Sequence, residues 1–142
     1  MVCGLPRRVM DGNADCFTPR MPHARQRLGA DGELLACAEL EKLGYRIVER
    51  NYRTRSGEID IVAADADTIV FVEVKTKTDG SFGDPVEEVT PHKQQQIISM
   101  GEWYSTCCLQ PDTPCRFDVV GVDLSAAPPK ITIYQDAFRP GW

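Results

Sequence analysis

Apolar and polar residues alternate along two neighbouring segments near the middle of the chain, and this period of two predicts a β-hairpin. The segments 57–64 and 69–76 contain the runs Gly-Glu-Ile-Asp-Ile-Val and Ile-Val-Phe-Val-Glu-Val-Lys. Successive side chains of a strand point to opposite faces, so the isoleucines and valines can line apolar faces while the charged residues point the other way. The same approach predicts helices over about 24–43 and 91–107, and strands over 45–51, 116–123 and 130–134.

This order of elements predicts an α/β fold in which a mixed β-sheet is flanked by α-helices. Strand 69–76 connects to strand 116–123 through a long loop and a helix, and such a crossover favours parallel pairing with a right-handed connection. The domain is expected to span residues 24–136. A basic tail over 1–23, expected to be disordered, precedes it, and a short tail over 137–142 follows it.

The long connection over 76–88 is expected to form a lid, because it leaves directly from the charged end of a predicted strand and contains glycines that permit motion. Phe82 within it is a candidate for stacking on a base or for anchoring the loop on the core. Thr90 and Pro91 then supply an N-cap and a first helical residue, which places Lys93 in the first turn of the second helix.

The register of the hairpin decides which charged residues meet. If residues 65–68 form a four-residue loop, Ala64 pairs with Ile69. The same register sets the charged residues of the hairpin in two opposed pairs, Asp60 with Glu73 and Glu58 with Lys75. Directly opposed carboxylates repel each other unless a cation or a shared proton relieves them. The pattern therefore predicts a divalent metal ion between the two acids.

Asp60, Glu73 and Lys75 reproduce the Asp…Glu-x-Lys signature of the restriction-endonuclease-like PD-(D/E)XK nucleases. Over residues 29–124 the chain also closely resembles the YraN family, which is regarded as endonuclease-like. The resemblance is carried by Gly-Glu at 32–33, Gly-Glu-Ile-Asp at 57–60, Phe-Val-Glu-Val-Lys at 71–75 and Arg-Phe-Asp at 116–118. It implies a restriction-endonuclease-like core, but a fold alone does not establish an activity.

The chemistry of these residues favours phosphodiester hydrolysis. Carboxylate oxygens suit Mg²⁺ or Mn²⁺, which polarise a phosphate and acidify a water. Asp60 and Glu73 supply such oxygens, and the resemblance implies the backbone carbonyl of Val74 as a further metal ligand. Lys75 is expected to act on the attacking water or on the charge that develops at phosphorus. The hypothesis is a metal-dependent nuclease, with DNA repair or recombination as its setting.

Three alternatives remain open at this stage. The charged face of the hairpin could simply be solvated, with Glu58 and Lys75 as an ordinary cross-strand ion pair. The chain could instead be a nucleic-acid-binding or adaptor protein that retains the nuclease fold without cutting. A glycosidase is disfavoured, because the acids are accompanied by arginines and few aromatic residues.

Glu33 is a further candidate catalytic residue. At helical spacing it shares a face with Ala36, Cys37 and Leu40, so it is a carboxylate on an apolar stripe. One interpretation makes Asp31 the N-cap and places Glu33 in the first turn, where it meets the helix dipole favourably. The resemblance implies instead that Glu33 abuts the metal site, as a ligand or through water.

Basic residues lie close to the predicted site. Arg46, Arg50, Arg53 and Arg55 precede Gly57 within ten residues. Of these, the last three are expected to bind nucleic acid, together with Lys93, which the resemblance implies as a site residue. The alternatives are a solvated basic edge strand and a lysine whose stem packs on the core while its ammonium reaches water. Asp118 is expected to be a structural acid that pairs with Arg116 or a backbone amide.

Composition narrows the class further. A chain of 142 residues with 42% hydrophobic content suits one domain with a real core. The net charge of −5 argues against a protein that coats duplex DNA by bulk electrostatics, so the expected partner, nucleic acid with DNA favoured, must be bound by local charge. Neither a signal peptide nor an apolar run of about 18 residues is found, which predicts a cytoplasmic protein without a membrane partner.

Cysteine and histidine usage disfavours zinc. The chain has six cysteines and two histidines but no C-x-x-C pair. The cluster Cys107, Cys108 and Cys115 could bind a metal fortuitously or be oxidised. The favoured interpretation is that these cysteines are reduced thiols.

Overall fold

The structure, a computed structural model, describes residues 24–79 and 83–140. The predicted tail over 1–23 and Phe82 lie outside the described residues. Within these ranges the elements are, in chain order, α1 (Ala24–Lys42), β1 (Arg46–Thr54), β2 (Gly57–Asp65), β3 (Thr68–Lys77), α2 (Pro85–Glu88), α3 (Pro91–Cys108), β4 (Cys115–Asp123) and β5 (Lys130–Tyr134).

The strands form one mixed sheet in the order β1-β2-β3-β4-β5. Neighbouring strands pair antiparallel except β3 and β4, which are parallel, with Phe71 beside Phe117 and Glu73 beside Val119. This parallel pair is the one that the helical crossover predicts. The α/β class and the restriction-endonuclease-like core, a mixed sheet flanked by helices, are therefore confirmed.

Helices cover both faces of the sheet, and each face has its own apolar cluster. Ile97 and Tyr104 of α3 pack with Phe71 in one cluster, and Leu40 of α1 packs with Val72 in the other. Phe71 and Val72 are adjacent on β3, so the two clusters lie on opposite faces. The interior strands are consequently buried on both sides, which explains their nearly continuous apolar sequence.

The β2–β3 hairpin has the predicted register but a shorter turn. Ala64 pairs with Ile69 as predicted, and Asp65 and Thr68 form one more pair beyond it. The turn therefore contains only residues 66–67, and the four-residue loop over 65–68 was wrong. Its first residue, Ala66, has a φ of 52°, the left-handed conformation that two-residue hairpin turns require.

At its other end the β2–β3 ladder stops at the pair Ile61 and Val72. Continuation of the register would give the predicted pairs Asp60–Glu73 and Glu58–Lys75, but neither belongs to the ladder. The backbone N–H of Val74 donates instead to Asp60 Oδ2 at 2.9 Å. A side-chain carboxylate thus takes a backbone hydrogen bond at the point where the two strands part.

Helix α1 occupies the predicted range of about 24–43, and its start excludes Asp31 as the N-cap. Gly44 has a φ of 94°, and its N–H donates to the carbonyl of Glu41 while Tyr45 N–H donates to that of Leu40. These two bonds form a Schellman motif. Because the helix begins at Ala24, Asp31 is not its N-cap, and Glu33 lies outside the first turn. A favourable interaction with the helix dipole therefore does not explain why the Glu33 carboxylate lies on an apolar face.

Both described ends of the predicted lid over 76–88 belong to regular elements. Its first residues belong to β3, and Pro85–Glu88 form the short helix α2. Lys77 Nζ lies 2.6 Å from Glu88 Oε1 and 3.2 Å from the carbonyl oxygen of Gly83, which ties the loop to the strand. Thr90 caps α3 through Lys93 N–H, as predicted. No helix in the described part of the chain is long and apolar enough to cross a membrane.

Gly32 allows α1 to approach β3 closely. A Cβ atom at this position would overlap the hydroxyl of Thr76 and lie about 3.1 Å from its Cβ. Alanine normally stabilises a helix relative to glycine by about 1 kcal/mol. At this contact the added methyl group should instead push apart the two elements that carry Glu33 and Lys75.

We expect Gly32→Ala to lower the free energy of unfolding by about 1–3 kcal/mol, as overpacking does in other cores. Urea unfolding followed by circular dichroism measures this change. The double variant Gly32→Ala/Thr76→Ala should recover most of the loss, because it removes the hydroxyl and the methyl group that crowd the new side chain. A gain in stability from Gly32→Ala alone would contradict the close approach.

Candidate active site

The site is built where β2 and β3 part. Ile59 and Ile61 are two residues apart but pack in different apolar clusters, on opposite faces of the sheet. Strict alternation is therefore interrupted at Asp60. In the neighbouring strand Asn51 has a φ of 54°, and the pair it would form with Asp60 is missing from the otherwise continuous register around it. The interrupted alternation at Asp60 and the positive φ of Asn51 both direct side chains into the gap between β2 and β3.

Asp60 and Glu73 form the centre of this gap. The Glu73 side chain is only 6% exposed, and its carboxylate lies close to that of Asp60. Burial, followed by the charge of Glu73, raises the pKa of Asp60 to about 9. Asp60 therefore keeps a proton near neutral pH, which relieves its repulsion with Glu73.

Glu33 and Glu58 adjoin Asp60 on its other side. One carboxylate oxygen of each of the three acids lies within 4.8 Å of the others. With its amide nitrogen directed at these acids, Asn51 donates to Glu33 Oε2 and Glu58 Oε1 at 3.0 Å each. Burial raises the pKa of Glu33, and the charge of Glu58 raises it further. Helix α1 thus contributes an acid to a cluster otherwise supplied by the sheet.

Sequence reasoning missed Glu58 as a member of this cluster. It was expected to face Lys75 across the hairpin, but its carboxylate lies 3.1 Å from Arg53 Nε, its partner in β1. Its place beside Asp60 in the run Gly-Glu-Ile-Asp was the available signal. The missed information was the end of the β2–β3 ladder before Asp60, which leaves Glu58 without the expected pair to Lys75 and places it with Arg53 and beside Asp60.

Two lysines converge on Glu73 from different elements. Lys75 Nζ from β3 lies 3.7 Å from Glu73 Oε2, and Lys93 Nζ from α3 lies 4.0 Å from the same oxygen. Lys93 shares its helical face with buried Ile97, as the sequence pattern predicts. The structure therefore brings Asp60, Glu73 and Lys75 into one cleft and adds Lys93 to it.

The predicted nucleic-acid-binding arginines divide into two groups. Arg50 and Arg53 are exposed on β1 and lie close enough to Glu33 to counteract the rise in its pKa. Arg55 lies beyond the end of β1 and, together with Arg53, lines a groove between the β1–β2 turn and α3. The sequence spacing alone placed all three beside the acids, whereas the structure places two there.

Val74 contributes its amide to the site, through the bond from its N–H to Asp60. Its carbonyl as a metal ligand stays a prediction. The thiols of Cys37, Cys107, Cys108 and Cys115 are unpaired by disulfides in the described part of the chain.

Asp118 belongs to a structural network and not to this site. It is fully buried and accepts bonds from Arg116 Nε and from the backbone N–H of Asp136, each at 2.9 Å. Both predicted kinds of partner are therefore present. Arg116 also bonds Asp65 Oδ2 at 3.2 Å, so the network joins β4 to the hairpin turn of β2 and β3.

Comparison with known proteins assigns this arrangement to a family. A sequence profile described as "Uncharacterised protein family UPF0102" matches residues 32–122, which contain every acid and lysine of the site. The chain belongs to the UPF0102 family. This family, also called YraN, is a group with the PD-(D/E)XK-like nuclease fold, so the resemblance seen in the sequence is confirmed.

Relatives match over most of their length. A UPF0102 protein of Geobacter metallireducens is 48% identical over 112 residues, which cover 79% of this chain and 92% of the relative. One from Chlorobaculum parvum is 48% identical over 100 residues, or 70% of this chain and 78% of the relative. One from Geobacter sulfurreducens is 46% identical over 118 residues, 82% of this chain and 92% of the relative. Their names state a family and no activity.

The raised pKa of Asp60 predicts how stability depends on pH in metal-free buffer. The folded protein keeps a proton up to about pH 9 that the unfolded chain releases near the ordinary value of 3.8. The native state therefore binds more protons across this window, and the free energy of unfolding should fall as pH rises through it. Asp60→Asn, which cannot ionise, should remove most of this slope.

Urea unfolding in EDTA at several pH values between about 5 and about 9 measures the slope. Asp67→Asn is the matched control, because it makes the same change at the exposed hairpin turn. Equal slopes for Asp60→Asn and Asp67→Asn would show that Asp60 does not hold the proton.

Proposed function

We propose that this protein is a metal-dependent nuclease that hydrolyses phosphodiester bonds of nucleic acids, with DNA as the favoured substrate. The observation that carries the proposal is the cleft between β2 and β3, where the carboxyl groups of Asp60 and Glu73 lie close together and Lys75 lies 3.7 Å from Glu73. Membership in a family with the PD-(D/E)XK-like nuclease fold supports this chemistry.

The donors at the cleft fit a hard divalent cation. Asp60 and Glu73 would hold Mg²⁺ or Mn²⁺ with the Val74 carbonyl, and Glu33 would border the ion directly or through water. Carboxylates held together against their mutual repulsion favour such an ion, which would displace the proton of Asp60. When bound, the ion would polarise a phosphate and acidify a water.

The basic side chains have separate roles in this proposal. Lys75 lies on β3 beside Glu73, so its ammonium can orient the attacking water or stabilise the charge that develops at phosphorus. Lys93 approaches the same carboxylate from α3 and would neutralise a phosphate that enters the cleft. Arg50 and Arg53 would hold the sugar–phosphate backbone at the edge of the sheet.

A second candidate is a nucleic-acid-binding protein that retains the fold without cutting. The observation that favours it is that the acids already have partners within the chain. Asp60 accepts the Val74 N–H, Glu58 pairs with Arg53, and Glu73 lies near two lysines. A binding protein would have the arginines and the cleft but would show no turnover.

Divalent metal should stabilise the fold through these acids. A ligand that binds only the native state adds about 2.7 kcal/mol at 100 times its dissociation constant. Thermal melts with and without millimolar Mn²⁺ should show an upward shift in the wild type that Asp60→Asn loses. Asp67→Asn, at the exposed turn, should keep the shift. An equal shift in the wild type and Asp60→Asn would locate the ion elsewhere.

Lys75→Ala should lower cleavage by about 10²- to 10³-fold while leaving nucleic-acid and metal binding nearly intact. The reason is that an interaction made mainly in the transition state affects turnover more than binding. The assay uses linear, flapped, branched and single-stranded DNA and RNA with Mg²⁺ or Mn²⁺. Lys42→Ala, which removes an equal charge at the exposed end of α1, should cleave as the wild type does.

Contaminating nucleases are controlled by purifying wild type, Lys75→Ala and Lys42→Ala identically. If all three preparations cleave every substrate equally, Lys75 is not catalytic. If none of them cleaves any substrate but the wild type binds nucleic acid, the protein is a nucleic-acid-binding protein that does not cut.

A further inference from the structure

A groove of about 800 Å³ lies beside the cleft, and of the residues with a role in the proposed chemistry it is lined only by Arg53. It runs between the β1–β2 turn and α3, and its volume falls within the range of about 300–1,000 Å³ typical of pockets for small molecules. Its lining residues are Tyr52, Arg53, Thr54, Arg55, Ser56, Ser99, Met100 and Trp103.

Trp103 is the exposed aromatic side chain of this groove. Its relative exposure is 59%, which is unusual for so large an apolar residue. Trp103 lines the groove together with Tyr52. Tyr52 is itself buried and packs edge-to-face on Tyr104 with ring centroids 5.0 Å apart. Trp103 thus keeps most of its surface accessible in a groove whose wall is anchored in the core.

The charge of the groove selects an anionic occupant. Arg53 and Arg55 line it, and no carboxylate is among the lining residues. The groove also continues into the acid cluster, because Arg53 Nε lies 3.1 Å from Glu58 Oε2 and Glu58 adjoins Asp60. An anionic chain that follows the two arginines would therefore reach the cleft.

We propose that this groove binds an unpaired segment of a nucleic-acid strand, with a base stacked on Trp103 and phosphates on Arg53 and Arg55. The inference deepens the proposed function, on which it rests, by naming the substrate class as nucleic acid with a single-stranded region. A base inside a duplex is already stacked on its neighbours, so only an unpaired base offers its face to an indole. Stacking of this kind tolerates any base and specifies strand state, not sequence.

Tryptophan fluorescence tests the proposal directly. Trp142→Phe leaves Trp103 as the single tryptophan of the chain. In EDTA, where metal-dependent cleavage cannot occur, a single-stranded thymidine oligonucleotide should quench this fluorescence more strongly than a duplex of equal length does. In the same background, Trp103→Leu should raise the dissociation constant for the single strand by about 5- to 150-fold, the range that corresponds to loss of one stacked base.

Control variants separate stacking from general effects. Trp103→Phe keeps an aromatic face and should retain most of the affinity measured by anisotropy. Leu43→Ala alters another exposed apolar residue, 58% exposed at the far end of α1, and should bind as the parent does. Circular dichroism melts establish that each variant folds.

Four outcomes decide the proposal. Unchanged single-strand affinity in Trp103→Leu overturns it, as does an equal loss for single strand and duplex. A concentration-dependent dimer that Trp103→Leu abolishes, without effect on oligonucleotide binding, would make the groove a protein interface and also overturn it. Selective loss of single-strand binding in Trp103→Leu supports it.

The test also separates this inference from the nuclease proposal. If the protein binds single strands selectively through Trp103 but does not cleave in Mn²⁺, the nuclease proposal fails and the groove proposal stands. If cleavage depends on Lys75 but Trp103→Leu binds single strands as well as the parent does, the groove proposal fails and the nuclease proposal stands.

Discussion

The site depends on one hydrogen bond, from the backbone N–H of Val74 to the carboxylate of Asp60. In a regular hairpin the ladder between β2 and β3 would continue past Ile61 and Val72, and the acids would lie on a solvated face. Because a side chain accepts this bond, the strands part without leaving a buried donor unpaired. The gap that results is open to the helices on both faces of the sheet. Helix α1 therefore adds Glu33 to it, and α3 adds Lys93.

Charge compensation within the gap explains how several acids lie close together. The proton that Asp60 keeps, the two lysines near Glu73 and the amide of Asn51 each reduce repulsion that would otherwise destabilise the fold. Each compensating group is also one that a cation or a phosphate could replace or contact. The electrostatic arrangement that limits repulsion among the acids is thus the one that prepares them to bind.

The aromatic residues connect the core to the surface groove. Tyr52, Tyr104, Phe71 and Phe117 pack in sequence, with ring centroids 5.0–5.7 Å apart, from β1 through α3 to β4. Trp103 lies beside this series, in the groove that Tyr52 also lines. Part of the wall of this groove is therefore made of core side chains, which lose little entropy when a ligand binds.

The sequence by itself determined the two long helices and the strands, the parallel crossover, the Ala64–Ile69 register and the residue types of the site. These depend on local periodicity and on connections that few topologies satisfy. The tertiary structure alone decided that the ladder stops before Asp60, that Glu58 turns to Arg53, and that Glu33 reaches the acids from the middle of α1. These features arise because buried polar groups must find partners across elements, and such partners are set by packing between residues far apart in sequence.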